Sequence, residues 1–216
     1  MRPLLNGMRA HRKKKLDEDS LPAVREQAAH CRACPLWKDA TQTVFGMGSQ
    51  RARVLLVGEQ PGDQEDRVGE PFVGPAGKLL DRALTDAAVD RKATYVTNAV
   101  KHFKFELRGK RRIHKKPNEL EISACHQWLE RELELIQPAL IVALGATAAR
   151  AVFGRATAIE KNRGHIIRGP STQVPYEADL LVTVHPSFLL RVPDEDRDQA
   201  YERFVADLKL IRPYAS

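Results

Sequence analysis

Four short runs rich in Val, Leu and Ile alternate with stretches of helical spacing, and no other feature limits the fold so tightly. The runs are Arg53 to Val57, Thr94 to Asn98, Leu140 to Leu144 and Leu180 to Val184. Their length, branched side chains and continuous apolar character predict strands buried on both faces. Helical spacing is expected over Ala76 to Ala88, Glu119 to Ile136, Thr147 to Phe153 and Asp196 to Ile211. Asn118 stands as an N-cap before Glu119 and Glu121, and Pro138 closes the long helix just ahead of the next strand. Parallel neighbours need crossover connections that cover both sides of a sheet. The pattern therefore predicts an α/β fold, a three-layer α/β/α sandwich around a central four-stranded parallel twisted sheet.

The chain has 216 residues, enough for one substantial core, and its 43% hydrophobic and 29% charged residues argue against a disordered chain. No apolar run approaches the roughly 18 residues a membrane span needs, so a soluble protein with no membrane partner is expected. The first twenty residues are basic and lack an apolar stretch followed by a small-residue cleavage site. Residues 1–20 are read as a flexible basic tail and 21–216 as a single domain. A net charge of +7 favours a polyanionic partner, although charge alone suits RNA or simple solubility equally. Three cysteines, two of them in Cys31-Arg-Ala-Cys34, point to metal ligation rather than a disulfide framework, and to a reducing, cytoplasmic compartment.

In a parallel sheet of this kind ligands bind beyond the carboxyl ends of the strands. The residues expected there are Gly58-Glu59-Gln60-Pro61-Gly62, Asn98, Gly145-Ala146-Thr147 and His185-Pro186-Ser187. A carboxylate, two amides and an imidazole would thus share one rim.

Five ordered segments carry a resemblance to a known family. They are GEQPGDQED (58–66), PFVGPAGKLLD (71–81), TNAVKHFKF (97–105), KRRIHKKP (110–117) and HPSFLLR (185–191). Together they resemble the iron-sulfur uracil-DNA glycosylases, a group close to family 4, and KRRIH resembles the UdgX type within it. The resemblance implies a uracil-DNA glycosylase-like fold acting on uracil-containing DNA, single- or double-stranded, with free uracil as product and a monomeric chain.

For the base pocket the resemblance implies Asn98 reading the uracil edge, since its amide can accept from N3–H and donate to O4. It implies Phe72 stacking on the flipped base, and His185 donating to O2, where charge develops as the glycosidic bond lengthens. Gln60 and Gly62 bring backbone amides close to the base. Glu59 and Asp63 would orient a water or a nucleophile near C1′; a Mg²⁺ site at Asp63, Glu65 and Asp66 is the lesser reading. In the UdgX type the histidine of KRRIH, here His114, attacks C1′ once uracil departs and links protein to DNA, with Glu59 as its orienting partner. Lys110, Arg111, Arg112 and Lys115 would contact phosphates. Leu189, Leu190 and Arg191 resemble the segment that enters the duplex in place of the flipped base, and Ser187 is expected to bind DNA beside them.

For the metal, family members carry a [4Fe-4S] cluster on four cysteines. Cys31, Cys34 and Cys125 occupy three of those places, and His102 stands where the remaining cysteine would be. Imidazole can ligate iron, while the spacing alone also admits zinc on the same Cys₃His set. Two other functions stay open at this point: a hydrolytic glycosylase that turns over, and a non-catalytic iron-sulfur protein that binds DNA.

Overall fold

The computed structural model describes residues 20–168 and 177–215; the basic tail expected at the N-terminus lies outside the described residues, apart from Ser20. In chain order the helices are α1 (Leu21–Ala29), α2 (Asp63–Val68), α3 (Pro75–Asp86), α4 (Glu119–Ile136), α5 (Ala146–Phe153), α6 (Ile159–Asn162), α7 (Pro186–Leu189), α8 (Asp194–Lys209) and α9 (Arg212–Ala215). The strands are β1 (Met47–Gly48), β2 (Val54–Gly58), β3 (Thr94–Asn98), β4 (Phe105–Arg108), β5 (Arg111–His114), β6 (Leu140–Leu144), β7 (Ile166–Ile167) and β8 (Asp179–Thr183).

The main sheet runs β1-β3-β2-β6-β8-β7. Its four central strands are mutually parallel, as the sequence predicts. The two-residue strands β1 and β7, which the sequence reading did not include, pair antiparallel at the edges. Because side chains alternate across a strand, each central strand feeds two cores. Leu55 and Val57 of β2 join Ile141, Ala143 and Val182 beneath α1, α4 and α5. Val54 and Leu56 join Val96, Val142 and Leu181 beneath α3 and α8. Three layers result.

Helix α4 starts where its cap dictates. The Asn118 side chain accepts from the Glu121 backbone N–H at 2.9 Å, and the Glu121 carboxylate accepts from the Asn118 N–H at 2.7 Å. The register aligns Gly58 with Asn98 and Leu144 with Thr183, so the segments after four strands surround one opening.

The principal departure from the sequence reading is a second, two-stranded sheet. Strands β4 and β5 pair antiparallel, with Phe105 opposite His114 and Arg108 opposite Arg111. Gly109 and Lys110 make the connecting turn, and Gly109 has φ of +59°, which glycine adopts without the penalty a side chain brings. The basic run Arg111-Arg112 thus lies on the second strand of a hairpin that ends at His114.

Candidate active site

A cleft of about 670 Å³ lies beyond the carboxyl ends of the parallel strands, and its wall includes Glu59, Phe72, Asn98, His114 and His185. The structure therefore brings together these five residues singled out from the sequence, drawn from segments 126 positions apart in the chain.

Asn98 ends β3 and is 3% exposed. Its backbone carbonyl is hydrogen-bonded, but among the described residues its side-chain amide has no hydrogen-bond partner. A buried polar group without a partner costs on the order of 1–3 kcal/mol, and at a cleft wall it marks a place for a ligand with matching donors and acceptors. Glycine is required opposite it: a Cβ on Gly58 would collide with Asn98 Oδ1 and with the Phe72 ring. Phe72 itself has φ of +59°, a conformation that costs a non-glycine residue energy and that clusters at functional sites. Glu65 holds the surrounding loops: its carboxylate accepts from the Gly74 N–H at 2.8 Å and the Gly62 N–H at 3.1 Å.

His185 caps the short helix α7. The Ser187 backbone N–H donates to His185 Nδ1 at 3.1 Å, and the Ser187 hydroxyl lies 2.8 Å from the same atom. A backbone N–H can only donate, so Nδ1 accepts and the ring proton sits on Nε2. Burial, helped by His114 and Arg191, drives the His185 pKa down to about 4, so the ring is a neutral N–H donor at ordinary pH. Its plane lies 29° from that of Phe72, with ring centroids 6.2 Å apart.

His114 Nε2 lies 3.4 Å from Glu59 Oε1, and the other Glu59 oxygen accepts from the Thr147 hydroxyl at the start of α5. Burial lowers the His114 pKa below the usual imidazole value, Glu59 opposes that shift and Arg191 adds to it. The imidazole is thus neutral and half exposed, with a carboxylate beside it. Those are the attributes of a nucleophile.

Residues 45–209 match the uracil DNA glycosylase superfamily. The chain belongs to this superfamily. It is 38% identical over 177 residues to the type-4 uracil-DNA glycosylase of Thermotoga maritima, covering 81% of this chain and 85% of the relative. It is 35% identical over 182 residues to that of Sulfurisphaera tokodaii, covering 82% and 78%. With the Archaeoglobus fulgidus type-4 enzyme the identity is 32% over 197 residues, covering 89% and 92%.

Within this superfamily member several residues have different surroundings from those the sequence suggests. Arg112, read as a phosphate contact, turns inward. It meets Asp63 at 2.5 Å and Asp66 at 2.6 Å, and lies over the rings of Phe103 and Phe105. Arg67 and Arg112 hold the Asp63 carboxyl below the usual carboxylate range, so Asp63 fastens the hairpin and is poorly placed to act as a base. Asp66 accepts from the Thr41 N–H at 3.0 Å and is fully buried. With Glu65 and Asp66 both engaged in internal hydrogen bonds, this acidic group holds the fold and presents no cation site. Gln60 is a clamp as well: its amide donates to the carbonyls of Lys104 and Lys115 at 3.2 and 3.0 Å and accepts from the Lys104 N–H at 3.1 Å. Both ends of the hairpin are held by one side chain.

Lys110 and Arg111 are exposed near the hairpin tip, and Lys115 pairs with Glu106 at 2.8 Å. Arg191 and Ser187 line the cleft as well. Leu189 is not a wedge: it is 1% exposed and packs in the core, whereas its neighbours Phe188 and Leu190 are 45% and 46% exposed. Phe188 was missed, because HPSFLLR does not reveal from spacing which side chains of one helical turn face outward.

The cysteines come from three places: Cys31 beyond α1, Cys34 ahead of a short 3₁₀ turn, and Cys125 inside α4. Burial pushes the Cys125 thiol up to about 12, with Cys34 and Cys31 near enough to add to the rise. The Trp128 indole N–H donates to Cys31 Sγ at 3.1 Å and the Lys101 backbone N–H to Cys125 Sγ at 3.2 Å. His102 Nε2 lies 2.9 Å from Thr43 Oγ1 and lines a 280 Å³ cleft together with Cys31. Among the described residues no three His, Cys, Asp or Glu side chains are gathered as a site for a metal ion. No helix among the described residues is long and apolar enough to cross a membrane.

Proposed function

We propose that this protein removes uracil from DNA and is then captured by the sugar it has exposed, through His114. The observation that carries the reading is the juxtaposition of the His114–Glu59 pair with the unpartnered Asn98 amide in one cleft. The type-4 names of its relatives support the excision half. The similarity of KRRIH to the UdgX type supports the capture half.

A base must leave the stack to reach this cleft. Asn98 then supplies an acceptor for uracil N3–H and a donor for O4, a pairing that cytosine reverses. Phe72 offers a face for stacking, which contributes ~1–3 kcal/mol in comparable sites. The Nε2–H of neutral His185 donates to O2 as the C1′–N1 bond breaks and its electron pair leaves on the ring. The unprotonated nitrogen of His114 gives its lone pair to C1′, replacing the attacking water. The Glu59 carboxylate stabilises the imidazolium so formed and then accepts its remaining N–H proton, while the released uracil anion takes a proton from water.

Cys31, Cys34, His102 and Cys125 would hold a [4Fe-4S] cluster. When bound, it ties the N-terminal segment to α4 and to the loop after β3, and nothing in glycosyl transfer requires an electron from it. The N–H donors at the sulfurs of Cys31 and Cys125 suit thiolate ligands. Iron with acid-labile sulfide in the purified protein is the expected analysis; zinc in their place would overturn the assignment.

A denaturing gel tests the covalent step. Incubation with a uracil-containing oligonucleotide should give a protein-sized shift that survives SDS, absent with thymine and lost in His114→Ser. A mutant that still crosslinks removes His114 as the nucleophile. Uracil release with no shift in the parent would leave a hydrolytic enzyme, and DNA affinity without base loss a binding protein.

A further inference from the structure

Three residues after Asn98, Lys101 carries its ammonium into the interior, where neither it nor its partner Glu132 has any exposure. Burying a charge costs several kcal/mol unless its hydrogen bonds are all met. Here they are. Lys101 Nζ donates to Glu132 Oε2 at 2.5 Å, to the Thr97 hydroxyl at 2.6 Å and to the Asn98 backbone carbonyl at 2.8 Å. Glu132, on α4, also accepts from the Gly46 N–H and the Tyr95 hydroxyl, both at 2.9 Å.

An apolar pair of similar volume is often as stable as a buried ion pair, so core packing alone does not account for these charges. Asn98 does. Its side-chain amide makes no hydrogen bond among the described residues, so its direction is set through its backbone and packing. That backbone is fixed on one side by the Ala99 and Val100 N–H groups donating to Gly58 and Glu59 at 2.9 and 3.0 Å. On the other side it is fixed by the Lys101 ammonium.

We propose that Lys101, held by Glu132, is a positioning residue for base recognition: it clamps the Asn98 carbonyl and so aims the Asn98 amide into the cleft. The proposal rests on the reading of Asn98 as the reader of the uracil edge. Lys101 touches no substrate.

The test compares Lys101→Met with the uncharged double variant Lys101→Met/Glu132→Gln in the full chain. Each is measured for melting temperature, for rate and saturation in single-turnover uracil release, and for affinity to DNA bearing a stable abasic-site analogue. The single variant leaves Glu132 buried without its cation and should melt lower, and the double variant should recover most of that loss. Uracil release should stay slow in the double variant by a factor on the order of ten to a hundred, the usual consequence of a misplaced contact group. Its affinity for abasic DNA should be unchanged. Recovery of rate together with melting temperature would show that Lys101 only neutralises Glu132, and would overturn the proposal. So would full release by a folded single variant, or a parallel loss of abasic-DNA affinity. If the parent itself releases no uracil, the reading of Asn98 has failed first and the clamp goes with it.

Discussion

Glu59→Gln separates the charge beside His114 from its shape, because the amide keeps the volume and can still accept from Thr147. At 3.4 Å a unit charge pair is worth ~5 kcal/mol at an effective dielectric near 20 and ~1.2 kcal/mol in water. His114 is half exposed, so screening brings the value toward the lower bound. A loss of about 1.4–2.8 kcal/mol in stabilising the forming imidazolium corresponds to roughly tenfold to a hundredfold in the rate of adduct formation. The pH dependence supplies a second readout with a definite sign. Capture needs neutral imidazole, so it falls as the pH drops through the His114 pKa, which burial sets below the ordinary value. Glu59 raises that pKa; without it the imidazolium is less favoured and the acid limb moves to lower pH. The assay is a time course of the SDS-resistant band over a series of pH values under single-turnover conditions. Adduct formation at the parental rate, or an acid limb displaced upward, would refute the assignment of Glu59 as the partner of His114.

Phe188→Ala should leave the melting temperature nearly unchanged while weakening binding to duplex DNA, whereas Leu189→Ala should cost about 2–5 kcal/mol of stability through the cavity it leaves; denaturant melts and duplex titrations of both check this. Gly58→Ala should slow uracil release at least about tenfold with little change in the circular dichroism spectrum, since its Cβ displaces Asn98 and Phe72. Arg112→Gln, which leaves the buried Asp66 carboxylate short of its cation, should cost about 3 kcal/mol and slow adduct formation more than uracil release, read from melts and from the two product assays in parallel.

The parallel sheet was legible in the sequence because each central strand is a continuous apolar run, and the site because the rims of such strands meet. The hairpin was not, since Phe105-Glu106-Leu107-Arg108 and Arg111-Arg112-Ile113-His114 hold too few apolar residues to signal burial. The Gly109-Lys110 turn between them was the available clue, and the density of charge obscured it. Nor does spacing tell an inward arginine from an outward one. Arg112 faces Asp63 and Asp66, residues 49 and 46 positions away, while its neighbour Arg111 is exposed. Asp63 changes role for the same reason, because the distant Arg112 joins its i,i+4 partner Arg67 only on folding.

The hairpin ending at His114 stands apart from the main sheet, attached at its base by Gln60 and along its side by Arg112. On the proposed reading, base recognition is built into the strand ends, whereas the trap is an appendage bolted beside them. Shortening or exchanging that appendage would leave the reading of the base intact while altering the fate of the sugar. A single scaffold then yields either a repair catalyst that lets go or a marker that stays on the lesion, with the choice encoded in the contiguous hairpin Phe105–His114.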